Sequence, residues 1–406
     1  MKLIVITPHF APDVAPTGVV ITRLVEELAA RGHEIEVLTS FPWYREHRIE
    51  AGFEGRTVRY EDTPYGRITR VHPFPATNKQ RFIRRAAGYV AFSALAGVFG
   101  ARGGRADAVL ALSPPLTLGL TGWAVARRRK APLIFNIQDV YPDVAIELDV
   151  LTHPILVRVA RRLERFCYDR ADAVTVLSDE LRDNVADKIG RAHKVHVIPN
   201  FVDVERISPG PRDNSYREEF GLQGKKVVMY AGNVGLSQSL DLLIHAASAL
   251  TDEKDLVFVI NGQGAARRDL ERRAGGLPNI RFVDMQPEPR LPEVLAAADV
   301  HVVALKAGLA RSSVPSKTYS ILAAGRPIIA SVDIGSEIAH VVESAGAGVA
   351  VPPEDAEAFT KAVRSLVDAP EDGRRMGASG RTFVERWASP AAIAEAYESL
   401  FQDLRR

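Results

Sequence analysis

A lysine lies among small hydroxyl residues in the stretch RSSVPSKTYSILAAGRPIIA, residues 311–330. Pro315 favours the start of a helix and Gly325 favours its end, which places Lys317 in the first helical turn. A lysine in that position opposes the helix dipole, at a cost of roughly 0.3 kcal/mol or more. Such a cost is expected where an anionic ligand shares the site. The alternative interpretation is an ordinary solvated lysine.

Two glycine-containing turns precede predicted helices in the same half of the chain. Gly232 and Gly235 lie in YAGNVGLSQSLD, and Gly262 and Gly264 lie in NGQGAARRDL. Glycines let backbone N–H groups approach an anion, and helix N-termini add positive potential. With Lys317, the two turns predict a site for a nucleotide diphosphate. The alternative is a pair of tight turns that need positive φ, and neither turn has the Rossmann fingerprint or the P-loop spacing.

Polar residues also follow three predicted strands of the N-terminal half. His9 follows the first strand in TPHFAPD, and Gly18 lies at the start of the next helix. Ser113 ends a later strand in SPP, and Gln138 and Asp139 follow another in NIQDVYPD. Because ligands bind at the carboxyl ends of parallel strands, we expect these residues to border a binding site. For His9 the alternative is an ordinary loop residue.

The elements that must position these residues alternate between strand and helix. Runs such as KLIVIT and EIEVLT predict strands buried on both faces, and the intervening VVITRLVEELAARG has helical spacing. The pattern runs to about residue 200 and restarts at residue 226. We therefore predict an α/β protein with two doubly wound, Rossmann-like domains. The predicted boundaries are a first domain at 1–203, a linker rich in Pro, Gly and charge at 204–225, a second domain at 226–387, and a final helix at 388–406.

The composition is that of an ordinary globular protein. The 406 residues are 46% hydrophobic and 25% charged, with a net charge of +2. This is enough for two cores and too balanced to indicate a nucleic-acid-binding protein. The single cysteine, Cys167, excludes an internal disulfide. The first apolar run is too short for a signal peptide and no run of about 18 apolar residues occurs, so we expect a cytosolic protein.

Residues 79–105 combine basic ends with an apolar centre and contain no Asp or Glu. The basic residues are Lys79, Arg81, Arg84, Arg85, Arg102 and Arg105. Phe92, Leu95 and Phe99 share a helical face, which together with the cationic ends predicts an interfacial helix at the inner face of an anionic membrane. The alternative is a core helix with solvated arginines.

A second basic helix is predicted at residues 154–166. Its basic stripe consists of Arg158, Arg161, Arg162 and Arg165, and its apolar stripe of Leu156, Val159, Ala160 and Leu163. We interpret it as an amphipathic helix with a solvated charged face, which could also extend the lipid-facing surface.

Taken with its motifs, the chain resembles a GT-B glycosyltransferase of family 4, the retaining class that uses nucleotide sugars. The resemblance covers nearly all of the sequence. The motifs that carry it are ITPHFAPD, SPPL, QDVYPD, IPNFVD, YAGNVGLSQSLD, VPSKTYSILAAGRPIIAS and GSEIAHVVESAGAGVAVPPED. The chain is most similar to enzymes that build surface polysaccharides on lipid-linked acceptors, such as the N-acetyl-L-fucosamine transferases of O-antigen synthesis.

The resemblance implies that the second domain binds a nucleotide-sugar donor. It also implies that the first domain presents a saccharide or lipid-linked acceptor across a cleft, and that the final helix packs back on the first domain. Transfer would proceed at the front face with retention and without an enzymic nucleophile. No cofactor is expected, because the nucleotide sugar is a substrate, and the absence of a metal-ligand cluster predicts no metal.

The resemblance also implies roles for individual residues. Lys317 would stabilise the leaving diphosphate, Asp139 would border the acceptor, and Glu337 would lie near the donor sugar; these three form the predicted catalytic set. The implied donor-binding residues are Gly232, Asn233, Gly235, Gln238, Asn261, Gly262, Gly264, Met285, Arg311, Ser312, Pro315, Ser316 and Ser320. The implied acceptor-side residues are His9, Gly18, Ser113 and Gln138.

The chain departs from the family pattern at charged positions. Ser312 and Ser320 stand where many members have two glutamates, and Asn233 and Gln238 stand where an Arg and a Lys often grip the diphosphate. Lys317 is expected to supply the missing positive charge. Two alternatives remain open: a nucleotide-sugar 2-epimerase, which would need acid and base carboxylates facing the sugar, and a non-catalytic nucleotide-sugar-binding subunit, which the serines would permit.

Overall fold

In a computed structural model the chain folds into two compact units. The first unit contains residues 1–200 and 390–406, and the second unit contains residues 201–389. The structure describes residues 1–45, 48–75, 82–312, 314–387 and 389–405, without the side chains of 82–86 and 387. Two of the basic residues predicted at a membrane surface, Lys79 and Arg81, lie outside the described residues.

The described residues of the first unit form an eight-stranded sheet with helices in the connections. In chain order the elements are β1 (Lys2–Ile6), α1 (Pro16–Ala30), β2 (Glu34–Ser40), β3 (Val58–Thr63), β4 (Gly66–Val71), α2 (Phe82–Gly100), β5 (Ala108–Ser113), α3 (Thr117–Arg129), β6 (Leu133–Ile137), α4 (Asp143–Glu147), α5 (Pro154–Arg170), β7 (Ala173–Val176), α6 (Asp179–Ile189) and β8 (Val195–Val197). The strand order is β3-β4-β2-β1-β5-β6-β7-β8, and all neighbours are parallel except β3 and β4. Strands β5, β6 and β7 are buried throughout, which explains their continuous apolar sequences.

The β3–β4 hairpin was not predicted, because charged residues interrupt its apolar pattern. Arg70 of β4 is almost completely buried, and its Nε donates to Glu61 Oε2 of β3 at 3.0 Å. Its Nη2 also donates to the carbonyl oxygen of Ala11 at 2.5 Å, so a buried guanidinium ties the hairpin to the loop after β1.

The described residues of the second unit form a six-stranded sheet in which every pair of neighbours is parallel. Its elements are α7 (Ser215–Glu219), β9 (Lys226–Ala231), α8 (Asp241–Ala249), β10 (Leu256–Asn261), α9 (Arg267–Arg273), β11 (Ile280–Val283), α10 (Leu291–Ala296), β12 (Val300–Ala304), α11 (Lys317–Ala323), β13 (Ile328–Ser331), α12 (Glu337–Ser344), β14 (Gly348–Val351), α13 (Ala356–Asp368) and α14 (Pro370–Trp387). The strand order is β11-β10-β9-β12-β13-β14.

Both faces of the second sheet are covered. Along β9, Val228 packs in one core with Leu243 of α8, and the next residue, Met229, packs in another core with Val294 of α10. Successive side chains of a strand point to opposite faces, so helices lie on both sides of this sheet. The prediction of an α/β chain with two doubly wound domains is confirmed.

The segment predicted as a linker is folded into the second unit. Asn214 caps α7 by accepting a hydrogen bond from the backbone N–H of Arg217 at 3.2 Å. The Arg217 guanidinium is fully buried, and its Nη2 donates to Asp299 Oδ2 at 2.8 Å. The Pro- and Gly-rich composition of this segment therefore does not mark a free spacer.

The last helix, α15 (Pro390–Asp403), belongs to the first unit and packs against α1. Its buried residues are Ile393, Ala394, Tyr397, Leu400 and Phe401. At its edge, Glu398 lies 2.9 Å from His33 Nε2 and 3.2 Å from Arg31 Nη1. The apolar stripe of this terminal segment is thus covered by the first unit.

Helix α2 does not present its aromatic residues as predicted. Ser93 Oγ lies 2.7 Å from Thr117 Oγ1 of α3, and Phe92 beside it is only 2% exposed. The expectation that Phe92 enters lipid is therefore wrong, because this face of α2 belongs to the core; Leu95 and Phe99 are half-buried. Among the helices that the structure describes, none is long and apolar enough to cross a bilayer.

Candidate functional site

The predicted donor-side residues follow the carboxyl ends of parallel strands in the second sheet. Ala231 of β9 pairs with Asn261 of β10, and Ala304 of β12 pairs with Ser331 of β13. Since these strands run parallel, the turns that follow them lie along one edge of the sheet. That edge carries the two glycine turns, the loop that leads to Lys317, and Glu337.

The two glycine turns pack on each other backbone to backbone. The N–H of Gly232 donates to the carbonyl oxygen of Asn261 at 2.9 Å. A Cβ atom on Gly262 would lie 1.8 Å from the carbonyl oxygen of Gly232, and one on Gly264 would lie 2.1 Å from that of Val234. Close approach between the turns, not positive φ, is what requires glycine at positions 262 and 264.

Lys317 lies over the first of these turns. Its Nζ is 3.7 Å from the centroid of the Tyr230 ring and donates to the Tyr230 hydroxyl. That hydroxyl in turn donates to the carbonyl oxygen of Asn233 at 2.6 Å. A Cβ on Gly232 would lie 3.1 Å from Nζ, so the absence of a side chain there makes room for the lysine.

No described carboxylate forms an ion pair with Lys317, and burial lowers its pKa to about 7. Aromatic and hydroxyl groups stabilise an ammonium ion less than a carboxylate does. The lysine therefore has unused capacity to bind an anion beside the backbone of the first turn. Tyr230, which positions it, was missed by the sequence analysis; the only signal was a tyrosine near the end of an otherwise aliphatic strand.

The side chains of Gln238 and Asn261 form hydrogen bonds with other residues of the protein. Gln238 Oε1 accepts from the N–H of Gly235 at 2.9 Å and therefore braces the first turn. Asn261 Oδ1 accepts from the hydroxyl of Tyr216 at 2.9 Å. Met285, which follows β11, is 46% exposed and remains available to a ligand.

The hydroxyl-rich loop precedes α11, which begins at Lys317 itself. Pro315 and Ser316 therefore lie just before the helix. Ser312 is buried, and its hydroxyl donates to the carbonyl oxygen of Leu309 at 3.1 Å. Arg311 is exposed and Ser320 is half-buried.

Two acidic residues follow β13 at the same edge. Asp333, which the sequence analysis missed, accepts from the backbone N–H groups of Gly308 at 3.0 Å and Ala310 at 3.3 Å, and so holds the loop before Arg311. Glu337 is the half-buried first residue of α12. A carboxylate in a first helical turn is stabilised by the helix dipole.

In the first unit, His9 is held by an aspartate that the sequence analysis did not single out. His9 Nδ1 lies 2.7 Å from Asp13 Oδ2, and both residues are buried. Asp13 Oδ1 also accepts from the N–H of Tyr44 at 3.2 Å. A Cβ on Gly18 would lie 2.9 Å from the Cβ of His9, so the glycine lets α1 approach this loop. The four-residue spacing of His9 and Asp13 was the available signal.

Gln138 belongs to a buried network of amides. Its Nε2 donates to Asn136 Oδ1 at 2.6 Å, and its Oε1 accepts from Asn200 Nδ2 at 2.8 Å. Asn136 Nδ2 donates to the hydroxyl of Tyr397 at 2.9 Å and to Thr175 Oγ1 at 3.0 Å. The network joins α15 to the strand end where the acceptor-side residues were predicted.

Ser113 and Asp139 lie beside this network. Ser113 of β5 pairs with Ile137 of β6, and its carbonyl oxygen accepts from the N–H of Gln138 at 3.0 Å. The buried Ser113 hydroxyl has no hydrogen-bond partner among the described residues. Asp139 is half-buried immediately after Gln138. This edge therefore offers a hydroxyl, an imidazole and a carboxylate, a set suited to neutral polar groups.

Comparisons with known proteins cover both units. Residues 17–200 match the glycosyl transferase 4-like domain, and residues 225–369 match the glycosyl transferases group 1 domain. A putative colanic acid biosynthesis glycosyl transferase, WcaI, of Escherichia coli (strain K12) is 27% identical over 382 residues, 91% of this chain and 93% of the relative. A probable glycosyltransferase, WbjE, of Pseudomonas aeruginosa is 27% identical over 300 residues, 73% of this chain and 75% of the relative.

Solved structures resemble the whole chain at low sequence identity. Sucrose-phosphate synthase from Thermosynechococcus elongatus has a TM-score of 0.77 at 19% identity, covering 100% of this chain and 99% of that one. WaaG, a glycosyltransferase involved in lipopolysaccharide biosynthesis, has a TM-score of 0.68 at 17% identity, covering 98% and 99%. At such identities the likeness establishes the fold.

Proposed function

Because this chain is a glycosyltransferase of the GT-B type, built from a glycosyl transferase 4-like domain and a group 1 domain, we propose that it transfers a sugar from a nucleotide-sugar donor to a lipid-linked saccharide. The reaction retains the anomeric configuration and moves a hexosyl or N-acetylhexosaminyl group. It serves surface polysaccharide synthesis. A relative named for colanic acid biosynthesis supports this setting. Further relatives named as a phosphatidylinositol monomannoside mannosyltransferase and a monoglucosyldiacylglycerol synthase support a lipid-linked acceptor.

The observation that carries the proposal is Lys317. Its ammonium group lies against the backbone of a glycine turn without a carboxylate partner among the described residues. A diphosphate would supply the missing negative charge, and its phosphate oxygens would accept charge-assisted hydrogen bonds from Nζ. The N–H groups of the loops at this edge would add further donors.

In the proposed reaction, the bond between the anomeric carbon and the diphosphate oxygen breaks. A bond forms between the same carbon and an acceptor hydroxyl oxygen on the same face of the sugar. The hydroxyl proton passes to the leaving phosphate oxygen, so no enzymic nucleophile and no cofactor take part. Lys317 stabilises the negative charge that develops on the leaving diphosphate.

The remaining predicted residues act around this step. Glu337 would accept hydrogen bonds from hydroxyl groups of the donor sugar, and Asp139 would do the same for the acceptor. His9, oriented by Asp13 through Nδ1, would direct its other ring nitrogen towards an acceptor hydroxyl. The buried Ser113 hydroxyl would complete the acceptor side.

The first test is a thermal-shift screen of nucleotide sugars, because a ligand that binds only the folded protein raises its Tm. We expect one donor to stabilise the protein and then to be consumed when a lipid-linked saccharide is added. NMR of the product should show the donor's anomeric configuration. Binding without turnover would indicate a non-catalytic subunit, and conversion of the donor without an acceptor would indicate an epimerase. Inversion at the anomeric carbon would contradict the retaining mechanism.

A further inference from the structure

The N-terminal half of α5 presents aliphatic side chains to solvent. Ile155 is 61% exposed, Leu156 is 45% exposed and Val159 is 56% exposed. The sequence analysis placed Leu156 and Val159 on one apolar stripe with Leu163, but only the later part of the helix is covered by protein. The residues of α5 that are buried are Glu164, Cys167 and Tyr168.

Arginines interleave with these exposed aliphatic residues. Arg158, Arg161 and Arg162 are all exposed, and none forms an ion pair with a residue that the structure describes. The first carboxylate of the helix, Glu164, is buried and lies 2.5 Å from Lys188 Nζ. The nearest acidic residue before the helix is Asp149, five positions ahead of Pro154. The exposed half of α5 is therefore both apolar and positively charged.

We propose that this surface docks the enzyme on an anionic phospholipid bilayer. We call it the α5 face, and it consists of Ile155, Leu156, Arg158, Val159, Arg161 and Arg162. The aliphatic side chains would enter the headgroup region while the guanidinium groups bind lipid phosphates. The proposal rests on the proposed function, because a lipid-linked acceptor must be reached at a bilayer.

The chemistry of the α5 face favours lipid over a protein partner. In a two-fold dimer the same patch lies on both partners, so its arginines would face each other. Residues 154–162 contain no aromatic residue of the kind that anchors most protein interfaces. A bilayer needs no shape complementarity and offers both phosphate groups and an apolar layer.

Helix α2 provides the internal comparison. It exposes Val90 at 54% and Val98 at 55%, but its Phe92 is in the core. The lipid-facing surface that the sequence analysis placed at residues 79–105 should therefore contribute less than the α5 face.

The test is co-sedimentation of the full-length protein with neutral phosphatidylcholine vesicles and with vesicles that also contain phosphatidylglycerol. We expect binding to the anionic vesicles only, and weaker binding as salt increases, because charge attraction is screened over about 10 Å at 0.1 M salt. Arg158→Glu/Arg161→Glu should lower the partition coefficient at least about tenfold, since each arginine near the surface contributes roughly fivefold. Ile155→Ser/Val159→Ser should lower binding without changing the net charge.

Matched variants separate the α5 face from general effects of charge and hydrophobicity. Arg374→Glu/Arg375→Glu makes the same charge change at exposed residues of the second unit, and Val90→Ser/Val98→Ser makes the same polar change on α2. The arginine control should sediment like the wild type, and the α2 control should lose less binding than Ile155→Ser/Val159→Ser. Equal loss with either control, no binding of the wild type to anionic vesicles, or binding that depends only on self-association would overturn the proposal.

The Tm shift that the nucleotide sugar causes, measured without vesicles, tests the proposed function separately from this proposal. The α5 variants should keep the wild-type Tm shift with the nucleotide sugar, because the α5 face lies in the other unit. Vesicle binding by a protein that binds no nucleotide sugar would support the α5 face and reject the donor. The reverse result would reject the α5 face alone.

Discussion

At the carboxyl edge of the first sheet three amide side chains bind one another, whereas at the edge of the second sheet the described side-chain contacts of Lys317 are with the hydroxyl and ring of Tyr230. Gln138 and Asn136 each use both the donor and the acceptor of their amide, and Asn200 donates to Gln138. The second edge is built from backbone turns, and its cation has no described carboxylate partner.

This difference indicates what each edge can bind. A satisfied network is rigid and offers little net charge, which suits the neutral hydroxyl groups of an acceptor. An uncompensated ammonium in a partly desolvated position is costly until an anion arrives, which suits a diphosphate. The unpaired ammonium at the second edge therefore lowers the stability of the free protein and raises its affinity for an anion.

The largest effect is expected where the second edge depends on backbone contact. Gly262→Ala would place a Cβ atom 1.8 Å from the carbonyl oxygen of Gly232, so the turns must separate. We expect the free energy of unfolding to fall by about 3 kcal/mol and donor binding to be lost. Urea denaturation and nucleotide titration measure the two effects. Gly373→Ala is the control, because its Cβ would make an ordinary contact of 3.5 Å with Pro327; equal behaviour of the two variants would show that the turns do not pack as described.

Removing the unpaired charge should affect catalysis and leave folding intact. Lys317→Ala should lower kcat/KM for the donor by about tenfold to a hundredfold or more, the loss of a charge-assisted contact worth roughly 1.5–3 kcal/mol. Its Tm should not fall, since a desolvated cation is removed. The control is Lys226→Ala. Lys226 Nζ lies 3.5 Å from Asp368 Oδ1, and its removal should leave kcat/KM for the donor unchanged. An unchanged rate in the Lys317 variant would leave the lysine without a role in donor binding.

Donor affinity should depend on pH through the same lysine. Burial lowers the pKa of Lys317 to about 7 in the free protein, and a bound diphosphate should raise it again. Below pH 7 the ammonium is already charged, so affinity should be constant. Above pH 7 binding must take up a proton, so Kd should rise by up to about tenfold per pH unit until the pKa of the complex is reached.

Isothermal titration of a nucleotide sugar between about pH 6 and pH 9 measures this slope. Lys317→Arg keeps its charge over the whole range and should remove the slope. A slope that persists in the arginine variant would assign the proton to another group.

Disrupting the His9–Asp13 pair at the first edge should have a smaller effect, which is confined to sugar transfer. Asp13→Asn keeps the volume of the side chain but replaces the carboxylate that holds His9 Nδ1. We expect kcat with the lipid-linked acceptor to fall by roughly threefold to tenfold, with the donor Kd unchanged. A variant that loses donor affinity and acceptor turnover equally would show that the pair supports the fold alone.

The smallest effect is expected at the far end of the amide network. Tyr397→Phe removes the hydroxyl that accepts from Asn136, while Thr175 still accepts from the same amide group. The free energy of unfolding should fall by about 1 kcal/mol, and kcat and donor Kd should stay at wild-type values. A large loss of transfer in protein of normal stability would make the network part of the site and not only its support.

Much of the architecture followed from the pattern of residues along the chain. Parallel strands buried on both faces require continuous apolar runs, so KLIVIT predicted a strand that the structure contains. The turns with Gly232 and Gly262 were found for the same reason, since they directly follow such runs. The sequence did not show why residue 262 must be glycine, because the carbonyl oxygen that it must accommodate belongs to a turn 30 positions away.

The sequence by itself determined much of the order of strands and helices, the two-unit organisation and the unusual lysine without a neighbouring carboxylate. Only the tertiary structure decided what each apolar or polar group contacts. Tyr230 lies 87 positions from Lys317, and Tyr397 lies 261 positions from Asn136, so no local pattern connects them. Helical periodicity showed that Leu156 and Val159 share an apolar stripe with Leu163. It could not show which part of that stripe another element covers, because periodicity reports the direction of a side chain and burial depends on what packs against it.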